Sequence, residues 1–339
     1  MLKKWQVHEG LSIPVNVTWE ITHQCNLSCI HCLSEAGREK RKELTYDQCL
    51  SVIGQLSFHQ VFQVNFGGGE PFMRQDFLAI LEACHVKGLV TCISTNGICL
   101  EDRALDFLRK REGVYLQVSL DGGSSATNDL IRGRGSYDRV IQTFTRLNSR
   151  EIPFSINMVL TKLNYPEISS LYSLAKDHGA KLRVSRFRPS GRGKRSWQDL
   201  RVGEEDLRGF SRWLSDHRDV VTGDSFFSLE EEERKGLGLN LCGAAKFTCC
   251  IDPGGSVYPC AFLQDLSFFG GNLLEESLTH IWSHAPGFAL MRGLRIRSCE
   301  SCFRFESCHG GCPAIAYFTQ NTLSIPDPEC LVHCVQKAS

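Results

Sequence analysis

The chain has 339 residues, enough for one large domain or two ordinary ones, and 42% of them are hydrophobic, as in a globular protein. Lys plus Arg balance Asp plus Glu at 38 each, so no overall charge field points to nucleic acid or an anionic membrane. No apolar run approaches the length of a membrane span, and the opening MLKKWQVHEG lacks the apolar stretch of a secretory signal. The cytoplasm is the expected compartment.

From residue 16 to about 187, short apolar runs rich in β-branched and aromatic residues recur: VNVTWEIT, VFQVNF, LVTCIST, VYLQVSL, FSINMVL and LRVSRF. They read as six strands with helices between them. Thr45 with Gln48 reads as a capping box, and Asn164 with Glu167 as another. Six strand–helix units imply a parallel sheet with right-handed crossovers, too short to close an eight-stranded barrel. The expected class is α/β, a curved, partial (β/α)6 barrel with its active site at the C-terminal ends of the strands.

After Phe187 the character changes. RPSGRGKRSW reads as a basic loop. Arg186, Arg188, Arg192 and Arg195 fall on the active face, where one could meet a substrate carboxylate; a solvated loop is the simpler reading. A helix of about 15 residues follows from Glu204, and LEEEERKG reads as a solvated helix face. From Asn240 onward Gly, Pro and Cys punctuate the chain and periodicity is poor. This region reads as a second domain organised by metal rather than by a core. The expected division is 1–200, a barrel; 201–239, a helical linker; and 240–339, a cysteine-rich domain.

Seventeen cysteines in a reducing compartment argue for metal or catalysis rather than disulfides. Cys49, Cys84, Cys92 and Cys99 lie in or beside apolar segments and read as small buried hydrophobes. The others cluster. Cys25, Cys29 and Cys32 follow directly on the first strand, in a loop at the barrel mouth. Cysteine thiolates hold the irons of a [4Fe–4S] cubane, and three of them leave one iron open to a small molecule. A zinc site completed by His23 or His31 is the alternative at this point.

The C-x3-C-x2-C spacing after the first strand resembles the radical S-adenosylmethionine (SAM) superfamily. There the amino and carboxylate groups of SAM chelate the open iron, and cleavage of the sulfonium yields a 5′-deoxyadenosyl radical. The resemblance extends to GGGEP at Gly67–Pro71, STNG at Ser94–Gly97, and SLDG at Ser119–Gly122 followed by NDLIRG. It implies a SAM site built from His31, Gly68, Gly69, Glu70, Ser94, Asn96, Ser119 and Arg132, with His31 near the adenine. An arginine fork suits the SAM carboxylate.

The later cysteines resemble the SPASM extension of peptide-modifying radical SAM enzymes, which carries two auxiliary [4Fe–4S] clusters. The resemblance implies that Cys242, Cys260 and Cys312 hold the first and that Cys299, Cys302, Cys308 and Cys330 hold the second. The first, if it is closed, needs a fourth ligand, which the adjacent pair Cys249 and Cys250 could supply, and Cys249 is the expected one. Only one of the two should face the cluster, because successive residues of an extended segment point opposite ways. Cys334 is left as an ordinary thiol. A pair of zinc ribbons is the alternative for this domain, but C-x5-C-x3-C fits paired C-x2-C knuckles poorly.

HCLSEAGR, RPSGRG, TGDSFF, GLNLCGA, IDPGGSVYPCAF and DPEC resemble the mycofactocin radical SAM maturase family from about residue 16 to 330. The implied activity is modification of a small ribosomal precursor peptide: oxidative decarboxylation of its C-terminal Tyr, then a Val–Tyr carbon–carbon cross-link. Other readings are a different SPASM maturase, forming a thioether or another cross-link, and a non-enzymatic iron–sulfur electron carrier. No residue declares itself as a substrate acid or base. The segment 188–240 and the short stretches flanking the cysteines lack a strand-rich, leader-gripping module. A separate leader-binding companion protein is therefore expected, with a reductant such as ferredoxin or flavodoxin.

Overall fold

The computed structural model describes residues 10–37, 42–222 and 242–332. In the barrel half the chain runs β1 (Asn16–Thr22), α1 (Tyr46–Phe58), β2 (Gln63–Gly68), α2 (Phe77–Val86), β3 (Val90–Thr95), α3 (Asp102–Arg109) and β4 (Val114–Ser119). It continues through α4 (Ser125–Arg132), α5 (Ser136–Ser149), β5 (Phe154–Leu160), α6 (Ile168–Asp177), β6 (Lys181–Arg186), α7 (Gly193–Leu200) and α8 (Glu204–Asp216). The C-terminal part contains β7 (Thr248–Ile251), β8 (Ser256–Tyr258), β9 (Gly271–Asn272), α9 (Leu278–His284), α10 (Pro286–Gly293), α11 (Phe305–Cys308) and α12 (Pro313–Gln320).

The six expected strands are all present, and each pairs in parallel with its neighbour in sequence. Alternation sorts their side chains into two faces. Val17, Trp19, Val64, Phe66, Ile93, Leu116, Val118, Ile156, Met158 and Val184 are buried in the apolar core. Trp19 lies 5.6 Å from Phe66, which meets Phe77 of α2 edge-on at 5.4 Å. The opposite face is polar, with Asn65 bonded to Asn16, Gln117 to Ser94 and Ser185 to Asn157. That polar face is the inner face of the curved sheet.

The C-terminal part continues the sheet and the core of the barrel. β7 pairs in parallel with β1, so the sheet order is β6-β5-β4-β3-β2-β1-β7-β8-β9. Leu278, Ile281, Trp282 and Phe288 belong to the same continuous core as the barrel residues. The sequence hid this core because its strands are only two to four residues long, too short to show a period.

Local signals fared unevenly. Thr45 and Gln48 form a reciprocal capping box on α1. Asn164 and Glu167 do not: Asn164 accepts from Thr161, and Glu167 binds Ser124 and Thr127 instead. The basic stretch read as a loop contains α7, and the helix expected from Glu204 is α8. LEEEERKG and Cys334 lie outside the described residues.

Candidate active site and cysteine arrays

The loop after β1 carries Cys25, Cys29 and Cys32 to the strand ends. Burial pushes the Cys25 and Cys29 thiols up to about 11, so they are neutral until something replaces their protons. Gly69 makes the close approach of the next loop possible. A Cβ there would collide with the Gln24 carbonyl, and the Gly69 and Glu70 N–H groups donate to Thr22 and Gln24.

Glu70 is fully buried. Its carboxylate accepts from Thr95 Oγ1 at 2.7 Å, Asn96 N at 2.7 Å and Phe72 N at 3.2 Å. Burial raises its pKa against these donors. Glu70 therefore ties the end of β2 to the end of β3. Asn96, positioned this way, donates to Asn26 at 2.7 Å and approaches Cys25 Sγ at 4.0 Å.

The sequence quoted Asp121 only as part of SLDG, but the structure makes it a hub. Its Oδ2 lies 2.9 Å from His31 Nε2 and 2.6 Å from Arg132 Nε, all three buried. Burial opposes ionisation, but Arg132 and His31 prevail and hold the carboxyl well below the usual range. Arg132 in turn senses Cys29 and Cys32. His31 Nδ1 is buried without a hydrogen-bond partner among the described residues, as a ring awaiting a ligand would be. The structure thus gathers His31, Gly68, Gly69, Glu70, Asn96 and Arg132 around the cysteine loop. Ser94 and Ser119 lie near the ends of β3 and β4 on the barrel's inner face.

The basic segment after β6 is no solvated loop. Arg192 donates to the carbonyls of Cys29 and Ala36, and Ser196 donates to Ile30. Gly193 N donates to the Cys32 carbonyl. Gly191, at φ +53°, packs so tightly on Leu33 that a Cβ would strike its carbonyl. Arg195 pairs with Glu35 at 2.9 Å. Arg186 is buried and bidentate to Asp327, at 2.7 and 2.8 Å, and also binds Glu329 at 2.8 Å. The segment braces the cysteine loop and clamps the C-terminal array.

Two further sets of thiols lie beyond the barrel. Cys299, Cys302, Cys308 and Cys330 line one cavity with Phe305 and Pro326. Cys242, Cys260 and Cys312 are close enough to feel one another's charge. The adjacent pair resolves by parity. Cys249 stands level with Val17, in the apolar layer, and burial alone pushes its thiol up to about 12. Cys250 stands level with Thr18 on the inner face, feels Cys260, and lies 3.7 Å from Gln264 Nε2. The placement speaks against the expectation of Cys249 and for Cys250.

These thiols suit clusters. The second set surrounds a cavity. Backbone groups of Leu27, Ala244, Phe262 and Gly310 hydrogen-bond to Cys25, Cys242, Cys260 and Cys308. N–H donation to sulfur is characteristic of iron–sulfur ligation.

The family profiles agree with this division. Residues 19–175 match the Radical SAM superfamily, and residues 242–309 match SPASM, an iron–sulfur cluster-binding domain. The chain is 40% identical to "Mycofactocin maturase MftC" of Mycolicibacterium smegmatis over 332 residues, 96% of this chain and 85% of that protein. Crystal structures of Streptococcus suis SuiB share the fold. The complex with S-adenosylmethionine superposes with TM-score 0.79 at 22% identity, over 96% of this chain and 79% of that one. The complex with precursor peptide SuiA gives 0.80 at 23%, over 96% and 78%. With both profiles in register and a curated relative matching nearly its whole length, the chain belongs to the mycofactocin maturase family of radical SAM/SPASM proteins.

Proposed function

We propose that this protein is a peptide maturase of mycofactocin biosynthesis. It would decarboxylate the C-terminal tyrosine of a precursor peptide oxidatively and then join that residue to the neighbouring valine by a carbon–carbon bond. The observation that carries this reading is the three-thiol loop held against the polar inner face beside Arg132, in a chain 40% identical to a mycofactocin maturase. SAM and the cluster together supply a 5′-deoxyadenosyl radical as hydrogen-atom acceptor when bound.

Cys25, Cys29 and Cys32 would ligate the cluster, and Arg132 would meet the SAM carboxylate, fixed in orientation by Asp121. Asn96 and Ser94, Ser119 and the backbone of Gly68 and Gly69 would line the rest of the site, with His31 beside the adenine. Glu70 makes three hydrogen bonds to its own protein, so its part is to shape the loop. Cys242, Cys250, Cys260 and Cys312 would hold one auxiliary cluster, and Cys299, Cys302, Cys308 and Cys330 the other. Residues 1–200 would form the radical-generating part and 240–339 the auxiliary part.

A separate leader-binding companion fits the described part of 188–222, which forms two helices and a single bridge at Val221 rather than a sheet module. A ferredoxin or flavodoxin would supply electrons.

Mass spectrometry of the full-length precursor tests the proposal, using reconstituted protein, SAM, reductant and companion. The expected product has lost carbon dioxide and two hydrogens, and a second, cross-linked species of the same mass follows. Release of 5′-deoxyadenosine with a thioether instead would assign a different SPASM chemistry. No 5′-deoxyadenosine at all would leave an electron carrier.

A further inference from the structure

Arg188 stands two residues past the end of β6, yet its guanidinium reaches the first auxiliary array. Its Nε donates to Cys312 Sγ at 3.4 Å. Its Cζ lies 4.4 Å over the Phe262 ring, and Nη1 donates to the Arg186 carbonyl at 3.2 Å. Phe262 also places its own N–H 3.5 Å from Cys260 Sγ. One side chain therefore brings a fixed positive charge and a directed N–H to a thiol set whose members come from distant parts of the chain. The ring and the carbonyl restrict where that charge can go.

We propose that Arg188 sets the reduction potential of the cluster held by Cys242, Cys260 and Cys312, raising it so that this cluster accepts electrons more readily. The physical reason has two parts. Reduction adds a negative charge, and a nearby cation stabilises the more negative state. Hydrogen bonds to a ligand sulfur withdraw electron density from the cluster and act in the same direction. Arginine suits the role because it stays charged at any working pH and stacks on an aromatic face while donating sideways. Arg188 is a positioning residue in this scheme, since it acts through Cys312 and not on the peptide.

The inference rests on the reading that these thiols hold an iron–sulfur cluster, and the test separates the two. Iron content and EPR of the reconstituted full chain report whether the cluster is there. An EPR-monitored redox titration reports its potential. A protein with Cys25, Cys29 and Cys32 replaced by alanine assigns which signals are auxiliary. In Arg188→Gln, iron content should stay at the wild-type level while one auxiliary signal moves to a more negative potential and the other two clusters stay put. Arg188→Lys keeps the charge without the fork, and should fall between wild type and Arg188→Gln. Unchanged potentials in an iron-replete Gln protein would overturn the proposal. If the Gln protein cannot keep its iron, the Lys protein decides, and a potential equal to wild type would overturn it. Absence of an auxiliary signal in wild type would instead refute the cluster assignment beneath it.

Discussion

Asp121 holds the Arg132 guanidinium and the His31 ring on a single oxygen while its other oxygen accepts from Val159 N at 2.7 Å. Removing the carboxylate leaves Arg132 charged and buried without a counter-ion, which costs about 3–5 kcal/mol in comparable sites. Asp121→Ala should therefore lower stability by that order in chemical denaturation and weaken SAM binding roughly tenfold or more. Asp121→Asn, which keeps the shape and one acceptor, should lose less of both. Wild-type SAM affinity in the Ala protein would remove Asp121 from the site. The family resemblance implied a SAM-binding part for Arg132 but not what fixes its orientation, because the hub joins residues from three separate segments. The parity of Cys249 and Cys250 was likewise half legible. Alternation says that only one of them should face a cluster, and the register with β1 puts Cys250, level with Thr18, on the inner face. Cys249→Ala should keep its full iron at a loss of roughly 1–2 kcal/mol, the usual range for a small core truncation. Cys250→Ala should lose iron from the first auxiliary cluster while leaving the SAM-binding cluster intact. The reverse pattern, measured by iron analysis, would restore Cys249.

At the scale of elements, the six barrel strands were legible because each is bounded by turn residues and long enough to show its alternation. The segment after β6 was misread for a physical reason. Its glycines and arginines look like solvated loop chemistry, but here the glycines allow contact and Arg192 caps two carbonyls of the cysteine loop. Gly191 is the sharpest test of that bracing. Gly191→Ala needs both a left-handed φ and space that the Leu33 carbonyl already fills. It should displace the cysteine loop and abolish 5′-deoxyadenosine formation, with a loss of roughly four of about twelve irons. The auxiliary EPR signals should persist. A Gly191→Ala protein with normal SAM cleavage would mean that the loop does not depend on this contact.

Across the whole molecule, Arg186 at the end of β6 anchors the segment that carries Cys330. Asp327 accepts from Arg186 and from Cys312 N, and Glu329 N donates back to Asp327. The sequence placed Arg186 on the active face, and DPEC only as a family resemblance. Nothing in either stretch announces that they meet, since buried ion pairs leave no periodic trace. Arg186→Ala strands two buried carboxylates. The expected loss is about 3–5 kcal/mol, together with the cluster that Cys330 would close. Thermal unfolding and iron content check both, and a stable protein with full iron would show the clamp to be dispensable.

The seam between β1 and β7 governs how the molecule is made. Asn16 finds its partner Thr248 only after most of the chain has been synthesised. At 5–20 residues per second the wait is on the order of ten to fifty seconds. Throughout that time β1 can pair on one side with β2, while its other edge offers unpaired N–H and C=O groups to any extended segment nearby. Ribosome-bound chains arrested near Thr248 should therefore be markedly more prone to aggregate than the full-length chain released from the ribosome. Production of this protein in soluble form should improve when translation is fast, or when a chaperone covers that edge.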